Sequence, residues 1–142
     1  MSALTESELH EEMQLPSELS TVETVEAKAE EYARKAGFDE DTACQIAMIS
    51  REAAANAVLH GNRQDPEKKV HASFSLTGET LTIQVADQGA GFDPSAVPDP
   101  LSPEGLLKPS GRGIFLMRAI MDEVNFRQLS PGTEITLVKH RN

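Results

Sequence analysis

Apolar and polar positions along the chain follow two periods, and their order predicts the architecture. After Pro16, the residues Leu19, Val22, Val25, Ala29, Tyr32, Ala33 and Ala36 recur three and four apart, which gathers them on one helix face. The spacing predicts a first helix over 18–36, closed by Gly37 where a C-terminal cap belongs. Asp39 or Asp41 is placed to cap a second helix through Ile46, Ala47, Ala53, Ala54 and Val58, which stops at His60-Gly61. Its many alanines predict a closely packed neighbour. Residues 70–76 and 80–86 then alternate and are rich in β-branched side chains, and Thr77-Gly78-Glu79 between them reads as a hairpin turn.

Asp87-Gln88-Gly89-Ala90-Gly91 breaks that alternation, and five of the eight prolines fall between Gly91 and Gly111 without either period. That stretch reads as a long loop of the kind that often serves as a lid, at about 92–110. A helical pattern resumes over 114–121, and 124–129 and 133–139 form a second hairpin around Ser130-Pro131-Gly132. The order helix, helix, strand, strand, lid, helix, strand, strand implies an α+β two-layer sandwich. Its helices pack on one face of a mostly antiparallel, mixed sheet.

Composition narrows this picture. At 142 residues the chain fits one compact domain. Only six aromatics and no Trp are present, so Ala, Val, Leu and Ile fill the core. The net charge of −10 repels a phosphate backbone and argues against nucleic acid as a partner. Most of that charge is N-terminal: residues 1–31 hold nine Glu and one Lys, leaving 12 basic and 14 acidic residues for the rest. Residues 1–15 have too few apolar positions for a helix face and read as a mobile acidic tail, with a short edge strand at most, ahead of a domain over 16–142. A lone cysteine, Cys44, rules out an internal disulfide and suits a reducing compartment. No apolar run approaches the roughly 18 residues of a membrane span, and no signal peptide is visible, which together predict a cytoplasmic protein.

Three clusters carry candidate chemistry. Glu52, Asn56 and His60 lie at i, i+4 and i+8 of the second helix, so on an α-helix they share a face. That face is either a solvated stripe or a carboxylate and a carboxamide presented to one ligand, and an Asn suits the sparse protein shell of a phosphate-bound Mg²⁺. Asp87 at a strand end, followed by Gly89 and Gly91, is either an ordinary turn or a site where backbone approaches a flat ligand. In the second case Asp87 accepts a hydrogen bond from an amino group such as adenine N6. Ser110-Gly111-Arg112-Gly113 precedes the third helix and is either a hinge or a polyphosphate site at a helix N-terminus. Residues 105–121 lack Asp and Glu and contain Lys108, Arg112 and Arg118, a basic exception in an acidic chain. Neither a Walker A nor a GxGxxG spacing occurs. His10, His71 and His140 share no metal-ligand spacing, and no serine sits in a GxSxG context.

Taken in order, Glu52-Ala-Ala-Ala-Asn56-Ala57-Val58-Leu59-His60-Gly61, Asp87-Gln-Gly89-Ala-Gly91-Phe92, Gly111-Arg112-Gly113-Ile-Phe-Leu116-Met117 and Gly132-Thr133 resemble the boxes of the GHKL ATPase superfamily. The resemblance is closest to its anti-sigma-factor serine/threonine kinases, the RsbW and SpoIIAB type, and covers about residues 16–140. It implies the Bergerat fold, with ATP between the helical layer and the lid. On that pattern Asn56 would coordinate Mg²⁺ and Asp87 would bind the adenine amino group. Gly89 and Gly91 would shape the base pocket, Gly111 and Gly113 would meet the phosphates with Arg112 as a further candidate, and Thr133 would lie near adenine. Glu52 would be the general base toward an incoming serine hydroxyl.

Only ten residues follow Gly132, which points away from the gyrase- and MutL-like branches and their transducer domain. One long helix and an acidic tail before Glu52 point away from sensor histidine kinases, which place a phosphoacceptor hairpin there. The resemblance implies a homodimeric kinase. It would phosphorylate a small anti-anti-sigma (STAS-like) protein and sequester a sigma factor, the two partners being mutually exclusive. The rival is a catalytically silent module that binds a protein partner under ATP control, since a fold can keep its nucleotide site and lose its chemistry.

Overall fold

The computed structural model describes residues 8–89 and 109–141, without the side chains of residues 109–112. In chain order the elements are β1 (Glu8–Pro16), α1 (Leu19–Lys35), α2 (Glu40–Ala55), a π-helical turn (Asn56–Gly61), β2 (Lys69–Thr77), β3 (Thr80–Ala86), α3 (Pro109–Ile120), β4 (Glu123–Leu129) and β5 (Gly132–His140). The strands form one sheet in the order β1-β2-β3-β5-β4. All four pairings are antiparallel, so the mixed character expected of the sheet does not occur among the described residues.

Two helix boundaries have a clear local cause. Asp39 Oδ1 accepts the Thr42 N–H at 2.8 Å and caps α2, and that backbone donor holds the Asp39 carboxyl below its ordinary range. Gly37, at φ +92°, ends α1 in a Schellman arrangement: its N–H donates to Arg34 O and the Phe38 N–H donates to Ala33 O. The core lies between the helices and one sheet face. Val25, Ala29 and Ala33 of α1, Ile46, Ile49 and Ala54 of α2 and Met117 of α3 meet Phe74, Leu81, Ile83 and Leu137 of the sheet, all fully buried. The opposite face is polar, where Ser73, Gln84 and Thr136 make a hydrogen-bonded row across β2, β3 and β5. That alternation confirms the two-layer expectation. No helix among the described residues is long and apolar enough to cross a membrane.

The main departure is at the N-terminus. Residues 8–15, expected as a mobile tail with at most a short edge strand, belong to a nine-residue strand paired with β2 along its full length. Leu9, Met13 and Leu15 pack against the core, while Glu11 and Glu12 are paired. Glu11 meets Lys28 of α1 at 3.4 Å, and Glu12 meets His10 at 2.9 Å and His71 at 3.0 Å. Glu11 stands at an inward position and interrupts the apolar alternation.

Candidate functional site

A cleft opens between the end of the helical layer and the sheet. Its walls are Ala53, Asn56 and Ala57 on one side, Val85, Asp87, Thr133 and Ile135 on the other, with Ile114 and Met117 of α3 and Phe126 of β4 closing the end. Asn56, Asp87 and Thr133 are its polar members. The slot is mainly apolar, with these few polar groups fixed on its walls.

Asp87 is the most constrained of these residues. It is 9% exposed, and its backbone extends the β3–β5 ladder by donating to Thr133 O at 3.0 Å. Oδ1 accepts the Gly89 N–H at 2.9 Å and the Thr133 N–H at 3.2 Å. Burial pushes the carboxyl above its ordinary range, opposed by those two N–H groups and the charge of Lys68. Oδ2 accepts no hydrogen bond from the described residues, among which no buried side-chain oxygen or nitrogen lacks a partner. This oxygen is therefore open to the cleft and available to a donor on a ligand.

Glycines fit the chain around this carboxylate. A Cβ on Gly61 would collide with Asp87 Oδ2, one on Gly89 with the Gly61 carbonyl, and one on Gly132 with the Asp87 carbonyl. Gly132 also sits at φ +113°. Of these three, only Gly89 was expected to shape the site. Gly61 and Gly132 stood in the matched motifs without an assigned role, and read by pattern as a helix stop and a turn.

The segment expected as one helix to His60-Gly61 changes type at Asn56. From there the backbone makes a π-helical turn, with the Asn62 N–H donating to Ala57 O at 2.8 Å. Such turns insert a residue into a helix and recur at functional sites. Here the turn seats Gly61 against Asp87 and leaves His60 exposed, outside the cleft lining. The expected shared face therefore holds for Glu52 and Asn56 and ends there. Asn56 is half-buried on the cleft, and its carboxamide makes no hydrogen bond among the described residues.

Glu52 is half-buried one helical turn before Asn56. A Cβ on Gly113 would stand 2.5 Å from Glu52 Oε1, so this glycine lets α3 approach the carboxylate. Glu52 has no ion pair or side-chain hydrogen bond among the described residues. The expected helix over 114–121 in fact starts at Pro109, which suits a first helical position because it has no N–H to leave unpaired. Gly111 thus lies in the first turn of α3, whose backbone N–H groups have no partner within the helix and suit an anion. Gly113 lies one residue past that turn and serves the contact with Glu52. The Arg112 side chain, Gly91 and almost all of the expected lid lie outside the described residues. The structure thus brings Asn56, Asp87 and Thr133 to one cleft, with Gly89 behind Asp87 holding its Oδ1, and Glu52 and the start of α3 beside it.

Comparison with known proteins places the chain in a family. Residues 15–139 match the histidine kinase-like ATPase domain family. The chain is 33% identical over 105 residues to an anti-sigma F factor of Anoxybacillus flavithermus, covering 70% of each chain. It is 31% identical over 140 residues to the serine-protein kinase RsbW of Bacillus licheniformis, covering 92% of this chain and 85% of that one. Among solved structures, the RsbU and RsbW domains of a Mycobacterium tuberculosis protein superpose with a TM-score of 0.63 at 19% identity, over 93% of this chain and 32% of that one. A blue-light activated histidine kinase of Erythrobacter litoralis shares the fold at a TM-score of 0.55 and 18% identity, over 88% of this chain and 42% of that one. The chain belongs to the histidine kinase-like ATPase domain family, and within it to the anti-sigma-factor serine-protein kinases.

Proposed function

We propose that this chain binds Mg-ATP in the cleft and phosphorylates a serine or threonine of a small anti-anti-sigma protein. In the same reading it sequesters a sigma factor, works as a homodimer, and engages its two partners exclusively of one another. The observation that carries the reading is the cleft with its open carboxylate oxygen on Asp87, and beside it, next to α3, the Glu52 carboxylate that has no partner among the described residues. Adenine N6 would donate to Asp87 Oδ2, with Thr133, Gly89 and Gly91 around the base. The phosphates would run past Asn56 toward the first turn of α3, with Gly111, Gly113 and Arg112 on their path. Glu52 would accept the proton of the incoming hydroxyl. The acceptor oxygen forms its bond to the γ-phosphorus as the bond to the β,γ-bridging oxygen breaks, and ADP leaves with that electron pair.

The residues present suit a divalent ion of the Mg²⁺ type. Asn56 offers one unengaged carboxamide oxygen, and no three His, Cys, Asp or Glu side chains among the described residues converge on a cation. A hard ion here takes one protein oxygen and completes its shell with phosphate and water. When bound it neutralises charge on the phosphate oxygens. Asn56→Ala is expected to weaken Mg-ATP binding about tenfold or more while changing metal-free ATP binding less than about threefold, measured by titration calorimetry. Equal losses in both titrations would take the metal away from Asn56.

A further inference from the structure

Asn62, directly after the π-helical turn, is 1% exposed and does not line the cleft. Its carboxamide is nonetheless fully engaged. Nδ2 donates to Ser17 Oγ at 2.8 Å and to Lys69 O at 2.9 Å, and Oδ1 accepts the Gln88 N–H at 2.7 Å. Ser17 in turn donates to Lys68 O at 2.6 Å, and Gln88 Oε1 accepts the Lys69 N–H at 2.7 Å. One side chain thereby ties the segment before α1 and the start of β2 to the loop that follows Asp87.

The tie acts at the peptide that matters for recognition. The Asp87–Gln88 peptide has its carbonyl against Gly132 and its N–H on Asn62, while the Asp87 N–H is held by Thr133 O. With the backbone fixed on both sides and Oδ1 held by two N–H groups, the position of Oδ2 is set before any ligand arrives. The chain also accepts strain beside this clamp: Arg63 and Gln64, neither a glycine, follow Asn62 at φ +52° and +56°. Successive left-handed residues persist only where surrounding bonds over-determine them.

We infer that Asn62 is a positioning residue for base recognition, which acts through the Gln88 N–H to hold Asp87 Oδ2 where it meets an exocyclic amine. The inference rests on the adenine reading of Asp87. The test compares binding of ATP with that of purine riboside triphosphate, which lacks only the 6-amino group. Wild type should prefer ATP by about tenfold or more, as a hydrogen bond to a charged acceptor requires. In Asn62→Ala the preference should fall below about threefold. A residue that merely stabilises the fold would weaken both ligands alike, so an unchanged preference overturns the inference. If Asn62→Ala does not fold, Ser17→Ala removes one of the bonds that orient the carboxamide. It should lower the preference about twofold or more, and a preference equal to wild type overturns the inference equally. A wild type that binds both nucleotides alike would instead remove the adenine reading of Asp87, and the role of Asn62 with it.

Discussion

Glu52→Gln should bind ATP as wild type does and transfer almost no phosphate. The substitution keeps the side chain's shape and its contact with Gly113, but an amide accepts no proton from an attacking hydroxyl. Loss of a general base costs on the order of 10² to 10⁴ in rate. We therefore expect single-turnover transfer from γ-labelled ATP to slow by about that factor, with the dissociation constant for ATP moving less than about threefold. The separation follows from position, since Glu52 lies a helical turn from Asn56 and is not in the lining of the slot that would hold the base. Transfer at the wild-type rate would remove Glu52 as the base. A matching loss of ATP affinity would make it a binding residue.

Asp87→Asn should act in the opposite sense, losing the nucleotide while sparing the fold. The amide oxygen can still accept from the Gly89 and Thr133 N–H groups, but the atom replacing Oδ2 becomes a donor facing the amine it was meant to receive. Two donors cannot pair, and a ligand forced to leave such groups unsatisfied loses about hundredfold or more in affinity. Stability follows the carboxyl's titration. Burial raises the Asp87 pKa above the 3.8 of a free side chain, so the folded chain holds this proton more tightly than the unfolded one. Ionised Asp87 then subtracts from stability above its folded pKa, and the penalty disappears as pH falls through that value toward about 4. In nucleotide-free melting experiments the variant should gain on wild type at neutral pH, and the gain should close on acidification. A variant less stable by the same margin at both pH values would show that the cavity compensates the charge fully.

The two faces of α1 and α2 and the alternation of β2, β3 and β5 are written in local periodicity, because each element buries one stripe against a single neighbour. What escaped that reading depends on contacts distant in sequence. Glu11 breaks the apolar alternation of β1, and only the fold shows that Lys28 and Tyr32 stand opposite it. Over six residues, Asn56–Gly61, a π and an α period look alike, and the need to seat Gly61 on Asp87 is a tertiary one. The prolines before α3 obscured that Pro109 begins it. Asn56, Asp87 and Thr133, which the ordered motifs single out along the chain, line the cleft together. Asn62 was not singled out: a polar residue past a helix end reads as a turn, and its role exists only where residues 17, 69 and 88 converge. The apolar wall of Ile114, Met117 and Phe126 comes from two elements that pattern alone does not place together.

The most direct experiment incubates the protein with Mg²⁺, γ-labelled ATP and a native extract of its source organism, beside Glu52→Gln, and identifies what carries the label. A single small protein labelled on serine or threonine by wild type alone is the expected result, and it would deliver the substrate for sequencing. ATP bound by the protein with no label reaching any polypeptide, in an extract shown to contain a partner that the protein captures, would contradict the kinase reading and leave a binding module governed by nucleotide.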